Sequence, residues 1–137
     1  MDGFVVKVKL TNAGDETLVR RGLMKKEDIR TYDAEAIIDT GAVSTIIPIH
    51  VVEKLGLGIR KHTVAEYADG RKDTVGVTES LIIDILGRDT SDEAMVLGDN
   101  VLIGQTVLEK LDLLVDCANQ RVLPNPAHPD QPVLHVR

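Results

Sequence analysis

The sequence has one cysteine, no tryptophan, one phenylalanine and two tyrosines in 137 residues. A single thiol, Cys117, excludes an internal disulfide and fits a reducing compartment. With aromatic residues at 2% and apolar residues at 43%, a core has to be built mostly from Val, Ile and Leu. No apolar run approaches a membrane span. The opening residues, where Asp2 precedes an apolar run broken by Lys7 and Lys9, do not read as a signal peptide. A net charge of −6 and the lack of a basic stripe with interleaved aromatics argue against nucleic acid as the main partner. We therefore expect a soluble, cytoplasmic protein with no membrane or nucleic-acid partner. Its length suits one domain with a sizeable core.

What the chain does have is a pointed stretch, Ala36-Ile37-Ile38-Asp39-Thr40-Gly41-Ala42. The β-branched residues read as a buried strand. An ionised Asp at the end of such a strand is costly unless it is paired or hydrogen-bonded. Gly41 permits a sharp turn and leaves its N–H free to approach that carboxylate. Thr40 adds a short donor and acceptor, and Ala42 keeps space clear beside the acid. The plain alternative is that Asp-Thr-Gly is ordinary turn chemistry at a strand end.

Around this stretch the chain reads mainly as strands. Phe4, Val6, Val8 and Leu10 alternate with Val5, Lys7 and Lys9. Asn12-Ala13-Gly14-Asp15 is a turn signal, with a returning strand expected over Thr17 to Gly22. Lys25 to Arg30 is a charged, solvated stretch. Pro48 suits the first position of a short helix and Gly56 its C-terminal cap. Thr63 to Val77 reads as a hairpin turning at Asp69-Gly70. Its charged tip is either a plain solvated turn or a mobile cover. Leu81 to Leu86 is a strand, Gly87 to Glu93 a polar turn, and Ala94 to Leu97 a further strand. Asn100 to Gln105 is an apolar strand running into Gly104, and Thr106 to Leu111 is the one convincing helix. Leu113 to Asp116 and Arg121 to Leu123 are short strands around a turn. Four prolines make Asn125 to Arg137 an extended arm or a disordered one, so we place one domain at 1–124 and a proline-rich tail at 125–137.

Other chemistries find little footing. His50, His62, His128, His135 and Cys117 lack metal-ligand spacing. Ser44, Ser80 and Ser91 have no G-x-S-x-G context. Gly56 and Gly58 have no third glycine after them, and no phosphate loop is present. We expect no metal and no cofactor.

The run I-I-D-T-G-A-x-S-T at Ile37 to Thr45, a central hairpin, and V-L-I-G at Val101 to Gly104 before a short helix together resemble the retroviral-type (retropepsin-like) aspartic proteases. The similarity covers about Thr31 to Leu123. It implies an all-β, closed barrel-like acid-protease fold with a flap hairpin and one short C-terminal helix. Asp39 matches the catalytic aspartate, Thr40 the hydroxyl residue that bonds across a two-fold axis, and Gly41 the glycine whose N–H supports the carboxylate. Ala42 and Val43 match substrate-channel positions; Tyr67, Ala68, Asp69 and Gly70 match the flap. Ile103 and Gly104 match the apolar-Gly pair packed behind and beside the site. The family's acid after D-T-G-A and arginine after the downstream glycine are here Val43 and Gln105. Both halves of that ion pair are missing together, which leaves no orphaned charge.

The resemblance implies an aspartic endopeptidase whose partners are a second copy of the chain and a peptide or protein substrate. In such enzymes two carboxylates about 3 Å apart share one proton, one activating water while the other polarises the peptide carbonyl. With a single D-T-G, the second acid has to come from a second chain, so a homodimer with Asp39 facing Asp39 is the economical arrangement. The alternative is a dimeric peptide-binding or assembly module that cleaves nothing.

Overall fold

The structure is a computed structural model describing residues 3–136. Residues 1, 2 and 137, which include Asp2 and the outer ends of the expected domain and tail, lie outside the described residues. The protein is mostly β, with 43% strand against 19% helix, so the expected strand-dominated class holds; the short helices expected after Pro48 and before Asp112 are both present, and a further helix near the N-terminus was not expected.

Strand β1 (Phe4–Asn12) carries the predicted alternation: Val8 and Leu10 are buried while Val5, Lys7 and Lys9 are exposed. It pairs antiparallel on one side with β2 (Thr31–Ile38), from Phe4 opposite Ile38 to Thr11 opposite Thr31. On its other side it pairs with β6 (Leu81–Ile85). The predicted hairpin is formed by β4 (Ile59–Glu66) and β5 (Lys72–Thr78). The remaining strands of this sheet are β3 (Thr45–Ile47), β7 (Arg88–Asp92), β8 (Ala94–Val96) and β9 (Leu102–Ile103). The sheet runs β4-β5-β8-β3-β9-β2-β1-β6-β7. A separate pair, β10 (Leu113–Asp116) and β11 (Arg121–Pro124), follows.

The nine-stranded sheet is not closed into a barrel, which corrects the expected closed form. Its two edges are β4 and β7. Both carry charge, Arg60, Lys61 and Glu66 on one and Arg88, Asp89 and Asp92 on the other, a composition that discourages further pairing. The core is built of aliphatic side chains, with Leu10, Ile47, Leu81, Ile83, Ile85 and Ile103 fully buried.

Two stretches differ from the sequence expectation. Thr17 to Gly22 is not a returning strand, because helix α1 (Ala13–Arg20) occupies this stretch. Asn12 caps it: its side-chain oxygen accepts the Asp15 N–H at 3.0 Å while its amide donates to the Leu55 carbonyl at 2.8 Å. Asp15 and Glu16 then sit in the first turn, where acids favour a helix N-terminus. Asp15 is buried and accepts three bonds from Arg30, whose guanidinium holds its carboxyl below the usual range. Gly87 to Glu93 is likewise not a polar turn but contains β7, paired antiparallel with β6. The turn itself is Leu86-Gly87, both at positive φ. Leucine is poor chemistry for that conformation, so the turn carries no clear sequence signal.

Helix α2 (Ile49–Leu55) begins one residue after Pro48 and ends, as expected, at a left-handed Gly56. A Cβ at Gly56 would collide with the Arg30 guanidinium. Helix α3 (Gln105–Leu111) buries Val107, Leu108 and Leu111. None of the helices among the described residues is long and apolar enough to cross a membrane.

Residues 125–136 contain no helix or strand, yet they are tied to the end of α3. Asp112 accepts bonds from Asn125 Nδ2 at 3.0 Å and from the Val133 N–H at 3.0 Å, and His128 Nδ1 lies 2.7 Å away. Buried Arg88 donates to the carbonyls of Leu111, Asp112 and His128. The bonds from Asn125, Val133 and His128 pull the Asp112 carboxyl down from 3.8 to about 2. A folded-state value below the unfolded one means that the clasp stabilises the fold above 3.8 and loses this contribution as pH falls towards about 2. In an acid titration followed by NMR, the Val133 amide shift should therefore move with a midpoint of about 2. A midpoint at the ordinary carboxylate value would show that the clasp does not form in solution.

Candidate active site

Strands β2 and β9 run parallel, with Ile37 beside Leu102 and Ile38 beside Ile103. Strand β9 also pairs antiparallel with β3 through Ile46 and Leu102, so it lies between β2 and β3. The chain therefore leaves β2 at Asp39 and crosses the end of β9 to enter β3 at Thr45. Gly104 sits under this crossing. A Cβ there would lie 2.7 Å from the Ala42 and Val43 carbonyl oxygens and 2.8 Å from the Val43 carbonyl carbon. All three are backbone atoms, which have little freedom to give way. The crossing is tied down by the Asp39 N–H on the Ile103 carbonyl at 3.0 Å and the Gln105 N–H on the Ala42 carbonyl at 2.8 Å.

This explains why the two motifs meet although Asp39 and Gly104 are far apart in sequence. Apolar residues bury each strand, and a residue without a side chain lets one loop pass over the other strand. Asp39 is half-buried, and its Oδ1 accepts the Gly41 N–H at 2.9 Å. Its backbone carbonyl accepts the Ala42 N–H at 3.1 Å, closing the turn. Among the described residues no group donates to Oδ2, and the exposed Thr40 hydroxyl makes no hydrogen bond.

Asp39, Thr40 and Gly41 open onto a cavity of about 430 Å³ shared with Phe4, Val115 and Cys117. Among the described residues, Asp39 is the only carboxylate in its lining. Val43, 70% exposed, faces a second cavity of about 330 Å³ with Ser44, Thr63 and Val64. Ile103 is fully buried behind the crossing.

The hairpin tip is placed differently. Tyr67 and Arg71 close a loop around Ala68, Asp69 and Gly70, through the Tyr67 N–H on the Arg71 carbonyl at 2.8 Å. The Gly70 N–H bonds the Tyr67 carbonyl at 2.9 Å, and Gly70 has a φ of 87°, so the turn is longer than the two residues expected. The Arg71 guanidinium lies 4.4 Å from the Tyr67 ring centre. None of the four tip residues lines either cavity, so the structure does not bring them to Asp39. The stalk residues Thr63 and Val64 reach Val43 instead.

Among solved structures, the chain is similar to the solution structure of simian foamy virus (mac) protease. The likeness covers 77% of this chain and 91% of that chain, at 15% identity and a TM-score of 0.48. No family model matches the sequence, and no curated protein does.

Sequence reasoning missed Phe4, Val115 and Cys117 as neighbours of Asp39. Phe4 was read only as one inward residue of β1, and its place follows from its register opposite Ile38. Nothing local marks Val115 or Cys117, because the β10–β11 pair reaches Asp39 only in three dimensions. Asp92 was missed with β7; its carboxylate accepts the hydroxyl of fully buried Thr45 at 2.9 Å.

The crossing makes a direct prediction. Gly104→Ala forces a methyl group against backbone, an overpacking that costs about 1–3 kcal/mol. The urea unfolding midpoint should fall accordingly with an unchanged slope. An unaltered midpoint would mean that the loop does not pass this closely over Gly104.

Proposed function

We propose that the chain is an aspartic endopeptidase that works as a homodimer of retropepsin-like subunits. The observation that carries this reading is a single half-buried carboxylate, pinned through one oxygen by the Gly41 N–H, with its other oxygen uncommitted at the mouth of a cavity that no second acid lines among the described residues. A lone aspartate so placed lacks the partner that peptide hydrolysis by paired carboxylates requires. A second copy of the chain supplies it most economically, with Asp39 of the partner subunit across a two-fold axis.

In that assembly the ionised Asp39 takes a proton from a water held between the two acids. The water oxygen attacks the peptide carbonyl carbon, and the protonated acid of the partner subunit gives its proton to the carbonyl oxygen. When the tetrahedral intermediate collapses, the C–N bond breaks and the nitrogen leaves with a proton from the dyad. The Gly41 N–H keeps the carboxylate in its plane throughout, and the free Thr40 hydroxyl is available to bond the other subunit. Tyr67 to Gly70 would close over a bound peptide, a movement of the hairpin as a cover.

The decisive experiment mixes parent chains with Asp39→Asn chains. Asparagine keeps the shape but cannot carry the proton, so a mixed dimer should be inactive. At equal amounts and random pairing, about one quarter of the dimers are wholly parental by mass action. Activity should fall below that given by dilution with inert protein, and the Asp39→Asn homodimer should not hydrolyse peptide. Activity that stays proportional to parental chain, with subunit exchange independently confirmed, would overturn the shared dyad. A parent chain that binds peptides and never cleaves them would favour the binding-module alternative.

A further inference from the structure

The second cavity, about 330 Å³, is lined in part by Val43 and Ser44, which lead from the crossing into β3. Its charged lining divides into groups already engaged and one that is free. Glu93 is paired with Arg60, Nη2 to Oε2 at 2.7 Å. Asp92 accepts the Thr45 hydroxyl at 2.9 Å, and Lys110 lies 4.0 Å away. Lys61, on edge strand β4, makes no hydrogen bond or ion pair among the described residues. The hydroxyls of Ser44, Thr63 and Thr106 are equally uncommitted there, and buried Val77 and Ala94 supply apolar wall.

Both acids are therefore occupied from within the chain, while the free polar groups are one ammonium and three hydroxyls able to donate. That set complements an anionic oxygen at the end of a short aliphatic stem. A cationic side chain would meet Lys61 and find the two carboxylates already paired. We infer that this cavity receives an acidic side chain of the peptide, Glu or Asp, near the cleaved bond, with Lys61 as its charge partner. The inference rests on the proposed endopeptidase reading and names its substrate class. Val43 and Ser44 follow Asp39 by only a few residues, so an acid held here would stand at a fixed position relative to the cut. Lys61 is exposed, so solvent screens the attraction, and the expected preference for Glu over Gln is about fivefold.

The test uses the full chain and its Lys61→Glu, Lys61→Met and Asp39→Asn variants. A random octapeptide pool is digested and the products are sequenced by mass spectrometry. In parallel, fluorescent peptides with Glu, Gln or Lys at each position in turn are titrated onto the Asp39→Asn chain and the Asp39→Asn, Lys61→Glu double variant. The expected result is Glu or Asp enriched at one position relative to the cut. The Glu-over-Gln preference should reside in KM, be lost in Lys61→Met, invert towards Lys in Lys61→Glu, and weaken with added salt. Lys61→Met tests the loss of charge without introducing a new one, and an unchanged thermal midpoint shows that it folds.

Cleavage with no acidic enrichment, or with an enrichment that Lys61→Glu leaves in place, would overturn the assignment of this cavity while leaving the endopeptidase intact. Lys61-dependent binding of Glu peptides without any cleavage would support the cavity and overturn the catalytic reading. Neither cleavage nor Glu-favoured binding would overturn both.

Discussion

The arrangement depends on one steric constraint, the passage of the Asp39–Ser44 backbone over Gly104. Because β9 lies between β2 and β3, the connection between those two strands has to cross the end of β9. Carbonyl oxygens of Ala42 and Val43 come down onto Gly104 so closely that even one methyl group would overlap them. The same crossing fixes both ends of the turn through the Ile103 and Ala42 carbonyls. Asp39 therefore does not stand on a free loop. Its carboxylate emerges from a backbone held by the sheet on one side and by the start of α3 on the other.

Held in this way, Asp39 differs from other acids in the chain. Asp15 is enclosed by Arg30, Asp112 gathers Asn125, Val133 and His128, and Asp116 is held below its usual range by Asn119 and Arg121. Each of those carboxylates is satisfied by partners from its own chain and serves to fasten a segment: α1 to the stretch before β2, the tail to α3, the β10–β11 turn to itself. Asp39 receives one backbone N–H and leaves an oxygen facing a cavity. Those three carboxylates are used up in fastening segments, whereas Asp39, at the crossing, keeps one oxygen without a donor among the described residues.

How much of this was legible in the sequence depended on whether the controlling interactions are local. The alternation of β1, the strand before Asp39, the apolar run into Gly104 and the Asp69-Gly70 hairpin all declare themselves through period and turn residues. Gly104 was readable as the end of a strand, but the need for a glycine there comes from the crossing carbonyls. The α1 helix was hidden because Asn12 and Asp15 serve equally as turn and as cap. What decided between them was the distant Arg30, which closes on Asp15. Strand β7 was hidden because an edge strand buries little, so R-D-T-S-D looks like a loop, and because Leu86 turns the chain without turn chemistry.

The same non-local logic governs the tail. Three prolines, Pro126, Pro129 and Pro132, disfavour regular pairing, yet backbone that does not join a sheet can still be held by side chains that present several bonds at one point. Arg88 and Asp112 do this from opposite signs of charge, the guanidinium collecting carbonyls and the carboxylate collecting donors. Both stand where an element changes direction: Arg88 just after the Leu86-Gly87 turn, and Asp112 in the left-handed position that ends α3. Immediately beyond Asp112 comes β10, which carries Val115 and leads to Cys117 beside Asp39. The clasp thus anchors the start of the element that forms one wall of the Asp39 cavity. A distortion at Asp112 would be transmitted to that wall through only a few residues of strand. On this geometry the tail is a support of the candidate site, placed behind it by bonds that no periodicity in the sequence reveals.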